Sequence, residues 1–160
     1  MMTKLLAMLF AFAVLTAVGA YLTGHLDLLL DARAAGFVIG APWLLTLATR
    51  GARPCRSAVR AAFAADPLDL PPEVRLDAAG LWRGLAGQSL AAGLLVLLAG
   101  TLRHFGMIAR AGGSVTPADL WVPFGALLLA PVYGLLLAAI VYEPLAAGLA
   151  ADGGAGVEDA

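Results

Sequence analysis

The chain has 160 residues, of which 61% are hydrophobic and only 13% are charged. Soluble domains have about 45–50% apolar and about 25% charged residues, so this composition indicates an integral membrane protein. The net charge of −1 and the lack of a basic aromatic patch give no indication of nucleic-acid binding. The single cysteine, Cys55, excludes an internal disulfide, and neither a metal nor another cofactor is expected.

The first apolar stretch covers residues 5–22 and carries no charge after Lys4. We interpret it as the first membrane-spanning helix, because another apolar stretch follows after a short acidic-leaning turn. The alternative is a cleaved signal peptide, with the small residues 18–20 as its cleavage site.

The second span is predicted over residues 34–49. Gly36 and Gly40 form a G-x-x-x-G pair, which is typical of a face where two membrane helices pack closely. Pro42 is expected to kink the helix. Residues 1–49 would then form a first transmembrane hairpin.

Residues 50–82 are the only long polar segment, and its first eleven residues contain Arg50, Arg53, Arg56 and Arg60. A short helix over residues 54–65 would separate the arginines from Val59 and Phe63, a pattern typical of a helix on an anionic membrane surface. The alternative is a solvated basic cluster that only sets the membrane topology. A second short amphipathic piece is expected to end at Trp82.

The third span is predicted over residues 84–102, with Arg103 at its end and a loop over residues 105–119. Its polar side chains are Gln88, Ser89 and Thr101. In a membrane span, polar side chains more often face protein or a pathway than lipid.

The fourth span, residues 120–142, has 23 residues without one charge. As a helix it would be roughly 34 Å long, enough to cross a hydrocarbon core of about 30 Å. A ridge of small residues recurs at every fourth position: Ala126, Ala130, Gly134 and Ala138. Such a ridge favours close packing on another helix, although alanine and glycine are abundant in the whole chain. Residues 83–149 would form the second hairpin.

Pro131 lies in the middle of the fourth span and is expected to bend it. At its end, Tyr142 is predicted to be an interfacial aromatic residue and Glu143 an interfacial carboxylate. Pro144 is expected to break the helix at the water line. The acidic, glycine-rich tail, residues 150–160, is expected to be disordered.

The basic residues predict the orientation. With the amino terminus inside, seven lie on the cytoplasmic side (Lys4, Arg50, Arg53, Arg56, Arg60, Arg75 and Arg83) and three outside (Arg33, Arg103 and Arg110). This satisfies the positive-inside rule. The predicted fold is an all-α polytopic protein of the bacterial inner membrane. It has four transmembrane helices in two hairpins, joined by a short cytoplasmic segment, and both termini are cytoplasmic.

Two groups of residues resemble the MotA/TolQ/ExbB family, the ring-forming subunits of proton- or sodium-driven motors. The first group is GAYLTG at 19–24, LLLD at 28–31 and GFVIG at 36–40. The second is LLLAPVYGLLLA at 127–138, followed by PLA at 144–146. The resemblance implies a ring-forming homo-oligomer in membrane lipid that binds a single-span membrane partner.

The chain departs from the family pattern at the positions that line the family's ion path. Leu97, Ala130 and Pro131 stand where the family has threonines, if Gly93 and Gly100 match the glycines of its third span. The remaining candidates for an ion pathway are Gln88, Ser89, Thr101, Pro131 and Tyr133. The cytoplasmic segment is also about thirty residues long, whereas MotA carries a large domain there.

Three functional hypotheses follow. The chain is a MotA-like ring subunit with a single-span partner, a non-conducting structural or assembly subunit of the same fold, or an unrelated small four-span membrane protein. Catalysis is not expected, because the sequence offers no carboxylate pair, nucleophile–base pair or metal cluster.

Overall fold

The computed structural model describes residues 32–64, 67–111 and 116–150. All of their regular elements are helical: α1 (Ala32–Arg50), α2 (Ala52–Ala62), a 3-10 turn (Pro67–Asp69), α3 (Pro72–Ala111), α4 (Pro117–Leu136), a π-helical segment (Leu137–Tyr142) and α5 (Glu143–Ala150). The all-α prediction is thus confirmed for these residues. The predicted first span, its signal-peptide alternative and the acidic tail from residue 151 onward lie outside them.

Within the described residues, two helical stretches are long and apolar enough to cross a membrane, Pro72–Arg110 and Leu127–Ala150. Only 28% and 22% of their most apolar windows are buried, whereas the core helix of a soluble protein is mostly buried. Large apolar side chains point outward along both stretches: Leu94, Leu95, Leu98, Leu102, Phe105, Met107, Leu128, Val132 and Leu135. Such a surface suits hydrocarbon better than water.

Helix α1 contains the predicted second span and continues across Pro42, whose side chain is fully buried. It ends at Arg50, and the next residue, Gly51, has φ 82° and ψ 170°, a conformation that is essentially restricted to glycine. The amide of Gly51 donates to the carbonyl oxygen of Leu47 at 2.9 Å, which completes the last turn. The chain therefore changes direction within one residue and enters α2.

Helix α2 corresponds to the predicted surface helix, but protein covers its apolar face. The buried residues are Cys55, Ala58, Ala61 and Ala62, and they pack against α3. Val59 is half-buried, whereas Phe63 remains 58% exposed. The small side chains of α2 allow a close approach to α3, and this explains why the apolar face turns toward protein. Its arginines stay exposed.

Helix α3 is one continuous helix of 40 residues, which corrects two predicted boundaries. The expected change of element after Trp82 is absent, and the helix runs through Arg103 and the predicted loop to Ala111. No proline follows Pro72 within α3. Charged residues favour water over hydrocarbon around a helix, but they do not interrupt its backbone hydrogen bonds. At about 60 Å, α3 is twice as long as a hydrocarbon core is thick.

The helix predicted to stop at Pro144 also continues, through α5 to Ala150. A π-helical segment precedes it, and the amide of Glu143 donates to the carbonyl oxygen of Ala138, five residues back. Pro144 directly follows this wider turn, in which backbone amides bond five residues back instead of four, so the regular bond that a proline interrupts is already displaced. The expectation of a helix break at the water line was wrong for this reason.

Helices α3 and α4 pack in direct backbone contact at two glycines. A Cβ atom at Gly93 would lie 2.6 Å from the carbonyl oxygen of Ala130 and 2.7 Å from Cα of Pro131. A Cβ at Gly134 would lie 2.5 Å from the carbonyl oxygen of Ser89. The prediction that Gly134 lies against another helix is confirmed.

The ridge of small residues is buried at Ala130, Gly134 and Ala138, while the side chain of Ala126 is outside the described set. Every fourth residue remains buried beyond the ridge, at Tyr142 and Ala146. In an α-helix each step of four residues rotates by about 40° beyond a full turn. A π turn takes more residues and rotates the ridge back, so one face can stay against α3 from 130 to 146.

We predict opposite effects for two Gly→Ala substitutions in α3. Gly93→Ala should lower the midpoint of thermal unfolding in detergent, because the new methyl group meets backbone atoms that cannot rotate away. Gly87→Ala should be neutral or stabilising by up to about 1 kcal/mol, since nothing lies within 4 Å and alanine favours helix. Equal midpoints for the two variants would contradict the close contact of α3 and α4.

Candidate polar and aromatic site

An aromatic cluster joins four elements at one end of the bundle. The rings of Trp43 and Trp82 meet edge to face with centroids 5.7 Å apart, and Trp82 packs on Tyr142 at 5.9 Å. The indole N–H of Trp82 donates to the carbonyl oxygen of Ala58 at 3.4 Å. The cluster therefore ties α1, α2, α3 and the π-helical segment together.

Tyr142 was expected among lipid headgroups, but it is only 3% exposed. Its ring is covered by protein because the ridge of α4 continues through the π-helical segment toward Trp82. Glu143, the next residue, is exposed, and Pro144 is half-buried. At the end of the predicted fourth span, the side with Tyr142 therefore contacts protein, and the side with Glu143 is accessible.

One polar pair connects α1 to α3. The hydroxyl of Thr46 donates to the Oε1 atom of Gln88 at 2.9 Å, and Thr46 is 3% exposed. Gln88 was a predicted pathway residue; Thr46 was not identified from the sequence. A signal existed, because Ala34, Val38 and Pro42 precede Thr46 at intervals of four and all are buried.

The same stripe shows where Gly36 and Gly40 lie. Two residues correspond to about 200° of helix rotation, so both glycines face away from Ala34 and Val38. Gly36 is exposed, and no described atom lies within 4 Å of a Cβ built at either glycine. The other span of the predicted first hairpin, residues 5–22, lies outside the described residues.

Ser89 is completely buried, and its hydroxyl has no hydrogen-bond partner. It lies at the contact with Gly134, close to the level where Gly93 meets Pro131. A buried hydroxyl without a partner is destabilising, by about 1–3 kcal/mol in protein mutational data. Ser89 and Pro131 are thus the two predicted pathway residues that share the α3–α4 interface.

The other two predicted pathway residues are placed differently. The hydroxyl of Thr101 donates to the carbonyl oxygen of Leu97 at 2.7 Å, so it is satisfied within its own helix. Tyr133 packs against a separate cluster that contains Ala34, Val38 and Ala130. The structure therefore does not line up the five candidates along one face.

Arg75 was missed as a buried residue. It is 7% exposed in the first turns of α3, and its Nε and Nη1 atoms are buried without a hydrogen-bond partner. Sequence reasoning counted it only as a cytoplasmic charge. The burial of neighbouring Ala78 and Ala79 on the same face explains its position.

No protein-family model matches the chain, and no curated protein sequence matches it. The interpretation of the site therefore depends on its own geometry. That geometry consists of one satisfied polar pair, one unsatisfied hydroxyl and an aromatic cluster, held together by glycine contacts. Such an arrangement can position helices and accept a hydrogen bond near Ser89.

We predict that Thr46 and Gln88 are coupled in stability. A double-mutant cycle with Thr46→Val and Gln88→Leu should give a coupling energy of about 0.6 kcal/mol, the average for hydrogen bonds between membrane helices. Unfolding in mixed detergent micelles measures it. A coupling energy of zero would mean that the hydrogen bond adds nothing to the packing of α1 on α3.

Ser89→Ala should leave stability unchanged or raise it. The substitution removes a buried group that has no partner, and removing such a group relieves a desolvation cost. The same unfolding measurement tests this, with Gln88→Leu as the destabilised comparison. A clear loss of stability in Ser89→Ala would show that the hydroxyl is bonded in the native state.

Proposed function

We propose that the chain is an inner-membrane subunit of the MotA/TolQ/ExbB type. It crosses the membrane four times with both termini in the cytoplasm, assembles with copies of itself, and binds a single-span partner. It is not an enzyme. In this proposal the subunit supports ion-driven transport or motor function only together with the partner.

The observation that carries the proposal is the identity of the residues at the α3–α4 contact. Gly134, which belongs to the resembling stretch 127–138, lies against α3. Gly93 and Gly100, if they match the glycines of the family's third span, both lie against α4. One glycine of the resembling stretch and the two glycines of the assumed alignment therefore lie where α3 and α4 meet.

The proposed dependence on a partner follows from charge. An ion in a membrane span must exchange its hydration for polar groups, and a lone charge at mid-membrane costs at least about 2.5–3.5 kcal/mol. Helix α3 carries no acidic residue after Asp77, and Leu97, Ala130 and Pro131 replace the family's hydroxyls. A proton-carrying carboxylate would have to come from the partner.

A structural, non-conducting role is the second candidate, and specific contacts favour it. Ala130 is completely buried against Gly93, and Thr101 bonds to its own helix. One position that would line an ion path is thus occupied by helix packing within one subunit, and the hydroxyl of another is satisfied within its own helix. In this role the chain would hold an assembly together without moving ions.

Reconstitution distinguishes the two functions. Purified chain in liposomes should not dissipate a pH gradient, whereas co-reconstitution with a single-span protein that carries an aspartate in its helix should produce a proton leak. Leu97→Thr should increase that leak by restoring a hydroxyl at a half-buried position. Leu98→Thr, at a position that is 57% exposed, is the matched control and should not.

Leak from the chain alone would contradict the proposed need for a partner. No leak from the pair, with or without Leu97→Thr, would establish the structural role instead. The topology is tested separately by labelling introduced cysteines in intact cells. Gly112 should react from outside and Ala65 should not, and the reverse pattern would refute the proposed orientation.

A further inference from the structure

A cleft of about 440 Å³ lies where the end of α1, helix α2 and the first turns of α3 meet. Its lining residues are Arg50, Pro54, Ser57, Ala58, Val74, Asp77, Ala78 and Leu81. Ligand sites in proteins usually have volumes of about 300–1,000 Å³. The cleft is therefore large enough for a small polar group with part of an attached apolar chain.

The walls and the floor of the cleft differ in chemistry. Arg50 and Asp77 are both exposed, and neither forms an ion pair or hydrogen bond within the described part of the chain. The floor is apolar: Pro54 and Val74 are accessible there, and Ala58, Ala78 and Leu81 are each no more than 2% exposed. The cleft thus offers the guanidinium of Arg50 and the carboxylate of Asp77, both available to a ligand, beside an apolar surface.

The position of the cleft in the chain is equally specific. Arg50 is the last residue of α1 and follows an apolar helix, and Asp77 precedes the long apolar part of α3. In the proposed membrane orientation both residues lie at the boundary between hydrocarbon and water. A ligand there would have its charged part among headgroups and its apolar part toward the acyl chains.

We propose that this cleft binds the headgroup of an aminophospholipid, a phosphate diester that carries a primary ammonium group, such as phosphatidylethanolamine. The guanidinium of Arg50 and the hydroxyl of Ser57 bind the phosphate, and the carboxylate of Asp77 accepts hydrogen bonds from the ammonium. The floor covers the glycerol and the start of the acyl chains. The inference depends on the membrane placement proposed above, and it does not depend on the ring or the partner.

Charge and hydrogen-bond complementarity together favour this headgroup over the other common ones. A phosphatidylglycerol headgroup has no cation, so its phosphate would gain from Arg50, but its hydroxyls would donate to Asp77 without the charge attraction of an ammonium group. A choline headgroup has a quaternary ammonium without N–H, so it cannot donate to the carboxylate. Only a primary amine supplies both the charge and the donors, and hydrogen bonds to charged groups are the strong ones.

Native mass spectrometry of the full-length chain in detergent tests the proposal. Phosphatidylethanolamine, phosphatidylcholine and phosphatidylglycerol with identical acyl chains are added in equal amounts, and the dissociation constant of each first lipid adduct is measured. We expect ethanolamine lipid to bind about tenfold more tightly than the other two, the factor that one charge-assisted hydrogen bond supplies. Equal affinity for all three would overturn the proposal.

Two variants locate the site. Asp77→Asn should abolish the preference for ethanolamine over choline, and Arg50→Gln should weaken binding of all three lipids. The matched controls are Asp69→Asn and Arg53→Gln, which change exposed charges outside the cleft and should keep the preference. Unchanged thermal unfolding of each variant shows that the fold is intact. A preference that survives Asp77→Asn would overturn the assignment.

Two further measurements separate related explanations. Glycerophosphoethanolamine, the headgroup without acyl chains, should compete only weakly, and competition as strong as that of the lipid would overturn a membrane-lipid ligand. Alkaline carbonate extraction of cell membranes tests the membrane placement itself. Release of the chain would refute the proposed function, whereas retention with no lipid preference would refute only this inference.

Discussion

The direct backbone contact between α3 and α4 is the constraint on which the rest of the described structure depends. In the proposed membrane placement the hydrophobic effect contributes little between helices, so attraction comes from van der Waals contact, which needs small residues at the crossing. Gly93 and Gly134 provide it, each from a different helix and each against backbone atoms of the other. A side chain at either position would separate the helices along their whole length.

That contact also sets the register of the hairpin. Ser89 lies opposite Gly134, and with the two helices antiparallel, Trp82 then lies opposite Tyr142. The aromatic cluster is thus a consequence of the glycine contact two turns away. The π-helical segment maintains this register. In an uninterrupted α-helix, the ridge of small residues would rotate away from α3 before the chain reached Tyr142. Ser89 is buried without a partner because the approach at Gly134 leaves it no room to reach water.

The sequence predicted structure well where a residue type has one dominant physical effect. The small-residue ridge predicted a close contact with another helix, because glycine and alanine allow two backbones to approach, and the structure shows that this helix is α3. The apolar runs predicted helices. The sequence was less informative about where helices end. Trp82, Arg103 and Pro144 were expected to mark boundaries, but the helices continue through all three. A charged residue does not interrupt backbone hydrogen bonds, and Pro144 follows a π-helical turn. Thr46 was missed because its role depends on Gln88, 42 residues away.

The continuity of α3 changes how the polar segment at residues 50–82 should be understood. Its second half is the first part of the same helix that contains the predicted third span, so the segment and the span share one element. Helix α2 covers this part of α3 with Ala58 and Ala61, and Trp82 fixes it through the hydrogen bond to Ala58. A long helix that extends alone into water is stabilised by little more than its own backbone hydrogen bonds. This part of α3, in contrast, packs on α2 from Ala78 to Trp82. A movement of α3 would therefore move α2, and with it the exposed arginines, as a single body.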